Sequence, residues 1–274
     1  MKNNLGKITN MSESAKSAIV YTMATLFSRG LAIITVPIFT RIMSTDQIGV
    51  VNLYNSWYTM ISAVATLSLT SGGYMVAMKE YPNERDQYQS SVLTLTSIIA
   101  ILIAAVYFTF SSFWNTLIGL PSSLVVLMLI GFFVAPARDF WFLRQRYEYK
   151  YKLAGIVSIG SALAASALSI VAVLKISQQD AGSTAEGRLF ANYFVLYGVS
   201  AVIWLITMLR GKTFYNKDFW KLSLSLSIPL IGYSLAAQIL NVSDRMMIGQ
   251  MVNNSAVGIY STLYTVSSIS LMVW

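Results

Sequence analysis

Cysteine and histidine are both absent from the 274-residue chain. Without cysteine there are no disulfides and no thiolate chemistry. Without histidine the usual metal ligand is missing, and so is the side chain that titrates most readily near neutrality. Charge is scarce as well: 11% of the residues are charged, less than half of the roughly 25% usual in a soluble domain. No nucleophile–base set, metal-ligand cluster or nucleotide-binding glycine loop stands out. The sequence therefore names no catalytic residue, no metal and no cofactor, and the reading is of a protein that is not an enzyme.

What the chain does have is apolar length, with 55% hydrophobic residues gathered in long runs. Eight segments can be marked, at about 17–40, 52–76, 90–111, 122–142, 153–174, 189–209, 222–242 and 255–274. A helix crosses the hydrocarbon of a bilayer in about 20 residues. The expected class is all-α, a polytopic transmembrane helical bundle with about eight helices. The polar stretch MKNNLGKITNMSESAKS is too long and too polar for a cleaved signal peptide, so the first helix is expected to be retained.

A net charge of +8 would suggest nucleic acid in a soluble protein, but here its distribution decides. Lys2, Lys7, Lys16, Lys79, Arg85, Arg138, Arg144, Arg146, Lys150, Lys152, Arg210, Lys212, Lys217 and Lys221 fall on one side of the segments. Arg41, Lys175, Arg188 and Arg245 fall on the other, with Arg29 inside the first span. The positive-inside rule then puts the N-terminus in the cytoplasm. No nucleic-acid partner is expected.

Arg29 is the charge that the apolar pattern sets apart. It lies in the middle of AIVYTMATLFSRGLAIITVPIF, a run without Asp or Glu. Thr22 and Thr25 precede it at helical spacing and share its face. A cation at that depth bonds carbonyls of the bundle, snorkels to an interface, or meets a ligand in a wet cavity. Two polar stripes accompany it. Asn52, Asn55, Thr59, Ser62, Thr66 and Thr70 line one face of the second segment, where interhelical packing and a cavity lining are equally open readings. Ser234, Gln238, Asn241 and Arg245 line the seventh, whose long amides and cation favour a wet cavity. Gly155, Ser158, Ala162 and Ser166 in the fifth suit close helix contact. Pro37, Pro136 and Pro229 fall in or near apolar runs and are expected to bend them.

The ends of the first and seventh segments resemble one another. TRIMSTDQIGVVNLYNS and DRMMIGQMVNNSAVGIYSTLY each carry an arginine, Arg41 or Arg245, at a helix mouth. Each then has an apolar–glycine pair, Ile48-Gly49 or Val257-Gly258. Six helices separate the copies, so their orientation is the same and the repeat is parallel. A six-helix unit implies about twelve helices in a whole protein, of which this chain supplies one unit and the first two helices of the next.

The stretches SRGLAIITVPIFTRIMSTDQIGVVNLYNSW and SIPLIGYSLAAQILNVSDRMMIGQMVNNSAVGIYS resemble the bacterial polysaccharide biosynthesis proteins. These are O-antigen and capsular repeat-unit flippases of the multidrug, oligosaccharidyl-lipid and polysaccharide exporter superfamily. The resemblance implies a MATE-like two-lobe architecture around a central cavity. Residues 1–215 would form the first six-helix lobe and 216–274 the start of the second, with roughly four helices absent. It implies an undecaprenyl-pyrophosphate-linked glycan as substrate, moved across the bacterial inner (cytoplasmic) membrane, with membrane lipids and other polysaccharide-assembly proteins as partners. Arg29 would meet the pyrophosphate, with Arg41 and Arg245 at the outer mouth. Arg suits a diphosphate because its planar fork offers paired donors and stays charged when buried.

The rival readings are a cation-coupled multidrug exporter of the same superfamily and an inactive truncated membrane protein with an interaction role. A peptidoglycan-precursor flippase and an ion channel fit less well. The exporter needs an acid in the membrane, and no acid is read within the apolar spans, Asp244 being placed at a helix mouth. The topology is directly testable in this cysteine-free chain. A single cysteine at Asn115 is expected to react with a membrane-impermeant thiol reagent from outside the cell, and one at Asn83 only after the membrane is opened; the reverse pattern would invert the orientation.

Overall fold

The computed structural model describes residues 12–71 and 73–270, apart from the side chains at 13, 29, 32 and 268–270. The basic Lys2 and Lys7 and the end of the eighth segment at Trp274 thus lie outside the described residues. Ten α-helices account for nearly all of what is described: α1 (Glu13–Ile42), α2 (Thr45–Ala65), α3 (Gly73–Glu80), α4 (Arg85–Thr109), α5 (Ser111–Ile118), α6 (Ser122–Tyr147), α7 (Tyr151–Ser177), α8 (Thr184–Gly211), α9 (Lys217–Met251) and α10 (Asn254–Ser270).

The long helices α1, α4, α6, α7, α8 and α9 are each long and apolar enough to cross a membrane. They make the protein a polytopic membrane protein, and the described parts of the expected segments are helical apart from a break in the second. The two outside this set differ for physical reasons. Only 17 residues of α10 are described. The second segment is broken: α2 stops at Ala65, a 3-10 turn spans Leu69–Ser71, and α3 starts at Gly73. Leu67 and Ser68 sit at φ 51° and 48° in the break, a left-handed conformation that costs a side-chain-bearing residue about 1–2 kcal/mol. The Ser68 hydroxyl and N–H both bond the Ala63 carbonyl, so local side-chain bonding competes with the helix there. The stripe expected to continue through Thr66 and Thr70 therefore ends with the helix. Pro37, Pro136 and Pro229, by contrast, all lie inside uninterrupted helices.

The ends of the helices meet in two groups of polar contacts. In one group Arg144 pairs with Asp86 and with Glu148, the latter at 2.9 Å. Lys150 reaches Glu148 at 2.6 Å, and Ser90 bonds the Thr213 carbonyl at 2.9 Å. Burial pushes the Glu148 carboxyl up, but the hydrogen bonds from Lys150 and Arg144 together outweigh it and hold it below the usual carboxylate range. In the other group the Gln250 amide donates to the Leu117 carbonyl at 2.7 Å. There the Gln47 side chain accepts from the Ala185 N–H at 2.8 Å, so a residue of α2 caps the start of α8.

The polarity of the surface is that of a protein in lipid. Leu240 is 83% exposed and Phe194 75%, while Ser90, Thr96 and Ser200 are fully buried. Several buried hydroxyls find acceptors one turn back: Ser200 bonds the Leu196 carbonyl at 2.7 Å and Ser169 the Ala165 carbonyl at 2.7 Å. One apolar core gathers around Tyr54, Leu124, Met128 and Phe132, a second around Tyr74, Tyr88, Phe140 and Phe219.

α2 packs most extensively against α10, and also against α9. Backbones touch at the α2–α10 crossing. A Cβ on Gly49 would lie 1.8 Å from the Asn254 carbonyl oxygen, and one on Gly258 would lie 2.0 Å from that of Thr45. The contact is reciprocal, each glycine facing the carbonyl four residues before the other. Gly49→Ala and Gly258→Ala are each expected to destabilise the protein by about 1–3 kcal/mol through overpacking. Gly160→Ala and Gly198→Ala, where nothing lies within 4 Å of the added Cβ, should be neutral or slightly stabilising. Melting midpoints of the purified variants in detergent check the contrast.

Candidate functional site

Two polar cavities flank α1, and between them they collect much of the polar chemistry inside the spans. The first, of about 290 Å3, lies among α1, α2, α7 and α8. Ser28 and Thr35 of α1, Asn55 of α2, Ser166 and Ser169 of α7, and Arg188 and Asn192 of α8 supply its polar lining. Periodicity explains the set. Arg188 and Asn192 are one turn apart, as are Ser28 and Leu31, so each pair presents one helix face.

Arg188 was expected in a loop on the sparsely charged side. It instead sits in the second turn of α8. Its guanidinium carbon lies 3.7 Å above the Phe39 ring centroid, and Nη1 is 4.0 Å from the Met43 sulfur. Among the described residues no carboxylate lies within ion-pair distance of it. Hydropathy hid this residue because it begins a span; its i,i+4 spacing to Asn192 was the available signal.

The second cavity, of about 320 Å3, is lined by Tyr21, Ala24 and Thr25 of α1, Thr70, Asp139 and Arg146 of α6, and Ser158 of α7, among others. Asp139 corrects the sequence reading. It lies within α6 beside Arg138, 3.8 Å from Nε, with its side chain 45% exposed. The spans therefore do contain an acid, placed well before the basic end of that helix. Tyr21 carries the Arg146 guanidinium 5.0 Å over its ring. Its hydroxyl is buried without a hydrogen-bond partner among the described residues.

The residues singled out from the sequence divide among several places. Arg29 is helical, on α1, and its side chain lies outside the described residues. Thr25 lines the second cavity, its hydroxyl bonded to the Tyr21 carbonyl at 2.9 Å; Thr22 and Arg41 are exposed. Asn55 reaches the first cavity, and the Tyr193 hydroxyl donates to its side-chain carbonyl at 3.1 Å. Asn52 and Thr59 instead bond their own helix, at the Ile48 and Asn55 carbonyls. On α9, Ser234 and Gln238 are partly buried and Asn241 is exposed. Arg245 donates to the Asn241 carbonyl at 2.6 Å, pairs with Asp244 at 3.5 Å and stacks on Tyr264 at 4.5 Å. Asp244 in turn accepts a bond from Tyr260, which ties α9 to α10. Asp244 is thus inside α9 rather than beyond it.

Apolar outer faces, polar cavities between helices and a cation held among them define a membrane transport protein rather than a soluble binding module. A sequence profile of the family described as Polysaccharide biosynthesis protein matches residues 14–274, and the chain belongs to that family. Its members are transporters and not enzymes, so the role is a non-catalytic one in membrane transport of polysaccharide or lipid-linked glycan. No curated protein and no solved structure shows a match to the chain.

Proposed function

We propose that the protein is a flippase for undecaprenyl-pyrophosphate-linked oligosaccharide repeat units. It carries them from the cytoplasmic to the outer face of a bacterial inner membrane for O-antigen, capsule or exopolysaccharide synthesis. Residues 1–215 form the first six-helix lobe of a MATE-like two-lobe transporter and 216–274 begin the second, with the N-terminus in the cytoplasm.

The observation that carries this reading is the combination of family membership with cation, amide and hydroxyl groups set inside an apolar bundle. The task needs such groups and no bond-breaking machinery. A diphosphate and sugars must leave water while the polyprenyl tail stays in lipid, so fixed positive charge and hydrogen-bonding groups offset the lost hydration. Arg29 meets the diphosphate, with Thr22 and Thr25 on its face and Arg41 at the outer mouth. Asn52, Asn55, Thr59, Ser234, Gln238 and Asn241 contribute amides and hydroxyls toward the glycan. Arg245 enters paired with Asp244 and so brings less net positive field.

Substitution of Arg29 tests the mechanism. In a strain dependent on the protein, Arg29→Ala is expected to abolish surface polysaccharide, with lipid-linked repeat units accumulating on the cytoplasmic leaflet and protein levels unchanged. Arg29→Lys keeps part of the activity, because charge survives without the fork. Arg29→Gln should behave nearly like Ala; normal export by it would make Arg29 a packing element instead.

Asp139 favours a second reading, the cation-coupled exporter, because a carboxylate in a span beside an open cavity is what that chemistry requires. Under the flippase reading Asp139→Asn exports glycan and leaves the accumulation of cationic dyes equal to that of wild-type cells. Dye efflux that depends on Asp139 would favour the exporter.

A further inference from the structure

We propose that the cavity around Arg188 is a binding site for a small monovalent anion, of which chloride is the physiological representative. The inference shares the first cavity and Asn55 with the flippase reading, but it concerns the charge balance of the bundle and not the identity of the cargo.

The donors decide the sign of the ligand. A guanidinium carries five N–H groups and cannot be deprotonated. Among the described residues, those of Arg188 have only the Met43 sulfur, at 4.0 Å, as a hydrogen-bond partner, with the Phe39 ring across one face. Neither neutralises a charge. Two neighbouring amides, Asn55 and Asn192, supply further N–H donors. The Asn55 carbonyl is taken by the Tyr193 hydroxyl, which leaves the amide NH2 as its remaining group. Ser28 and Ser169 donate to the Ala24 and Ala165 carbonyls, so their oxygens can serve only the waters that accompany an ion, as acceptors, and not the ion itself. Asn192 adds a second amide one turn from Arg188. The cavity is therefore rich in N–H donors, and among its described lining residues there is no carboxylate. A cation removed from water without a partner is strongly unfavourable, and an anion in this space supplies the partner.

The charge and the size decide which anion. Arg188 is the single charged residue among the described lining residues. One positive charge balances a monoanion, whereas a diphosphate would bring at least two negative charges and leave the excess unpaired in a low-dielectric interior. A space of about 290 Å3 holds an ion with several waters at about 30 Å3 each. Because the lining comes from α1, α2, α7 and α8, an ion bound here joins α8 to α1 electrostatically. Those two helices otherwise meet at this point through a ring and a thioether.

The test uses the purified full chain in detergent, with melting midpoints measured at constant ionic strength as sodium gluconate is replaced by sodium chloride. A saturable rise in the midpoint is expected, with bromide able to replace chloride and inorganic pyrophosphate unable to. Arg188→Gln is expected to lose the chloride-dependent rise completely, whatever its midpoint in gluconate. Asn192→Ala should weaken the apparent affinity by about tenfold, the loss of one hydrogen bond to a charged group. If Arg188→Gln does not accumulate, wild-type crystals soaked in bromide provide the second readout, with anomalous density expected beside the guanidinium. A midpoint indifferent to chloride, a full chloride response in Arg188→Gln, bromide density elsewhere only, or stabilisation by pyrophosphate in preference to chloride would each overturn the proposal. None of these outcomes bears on whether glycan is exported, which the Arg29 variants decide separately.

Discussion

Hydrocarbon offers no hydrogen-bond partners, and the structure is an answer to that constraint. Each hydroxyl or amide inside a span must be satisfied by its own helix, by a neighbour, or by a cavity that admits polar contents. The first solution is the commonest here. Thr59, Ser169 and Ser200 return their protons to carbonyls three or four residues back, and so become compatible with lipid or with tight packing. The second joins distant segments, as when Tyr88 bonds Ser223 at 2.7 Å or Trp204 donates to Ser97 at 3.3 Å. Only what these two leave over becomes available for a function.

Part of what is left over gathers around α1. This helix has few contacts with α2, its neighbour in the chain, and packs chiefly on α7. Two of the spaces between the helices lie beside it, and Arg188 and Asp139 each line one of them. The two cavities differ in charge: among the described lining residues Arg188 is alone in the first, whereas the second holds Asp139, paired with Arg138, together with Arg146.

α2 has the complementary role. It touches α8, α9 and α10, caps α8 through Gln47, and comes into backbone contact with α10 through Gly49 and Gly258. Its polar residues are mostly consumed in these tasks. The helix that looked richest in ligand-binding groups is therefore largely a structural hub, and Asn55 is the member of its polar stripe that reaches the first cavity.

The class of protein and the location of its long helices were legible in the amino-acid order, because hydropathy is a local sum over about 20 residues and needs no knowledge of neighbours. That order also paired Ile48-Gly49 with Val257-Gly258, and those two glycines meet at the α2–α10 crossing. It did not place Arg188 or Asp139. Both lie inside helices that an apolar average carries straight through, and a net count of loop charges has no means of separating a solvated arginine from one stacked on Phe39, 149 positions earlier in the chain. Nor did it separate hydroxyls satisfied within a helix from amides left facing a cavity, since both satisfy the same spacing. Which polar groups are spent and which remain is a property of three-dimensional packing, where a partner is chosen by distance across helices and not by position along one.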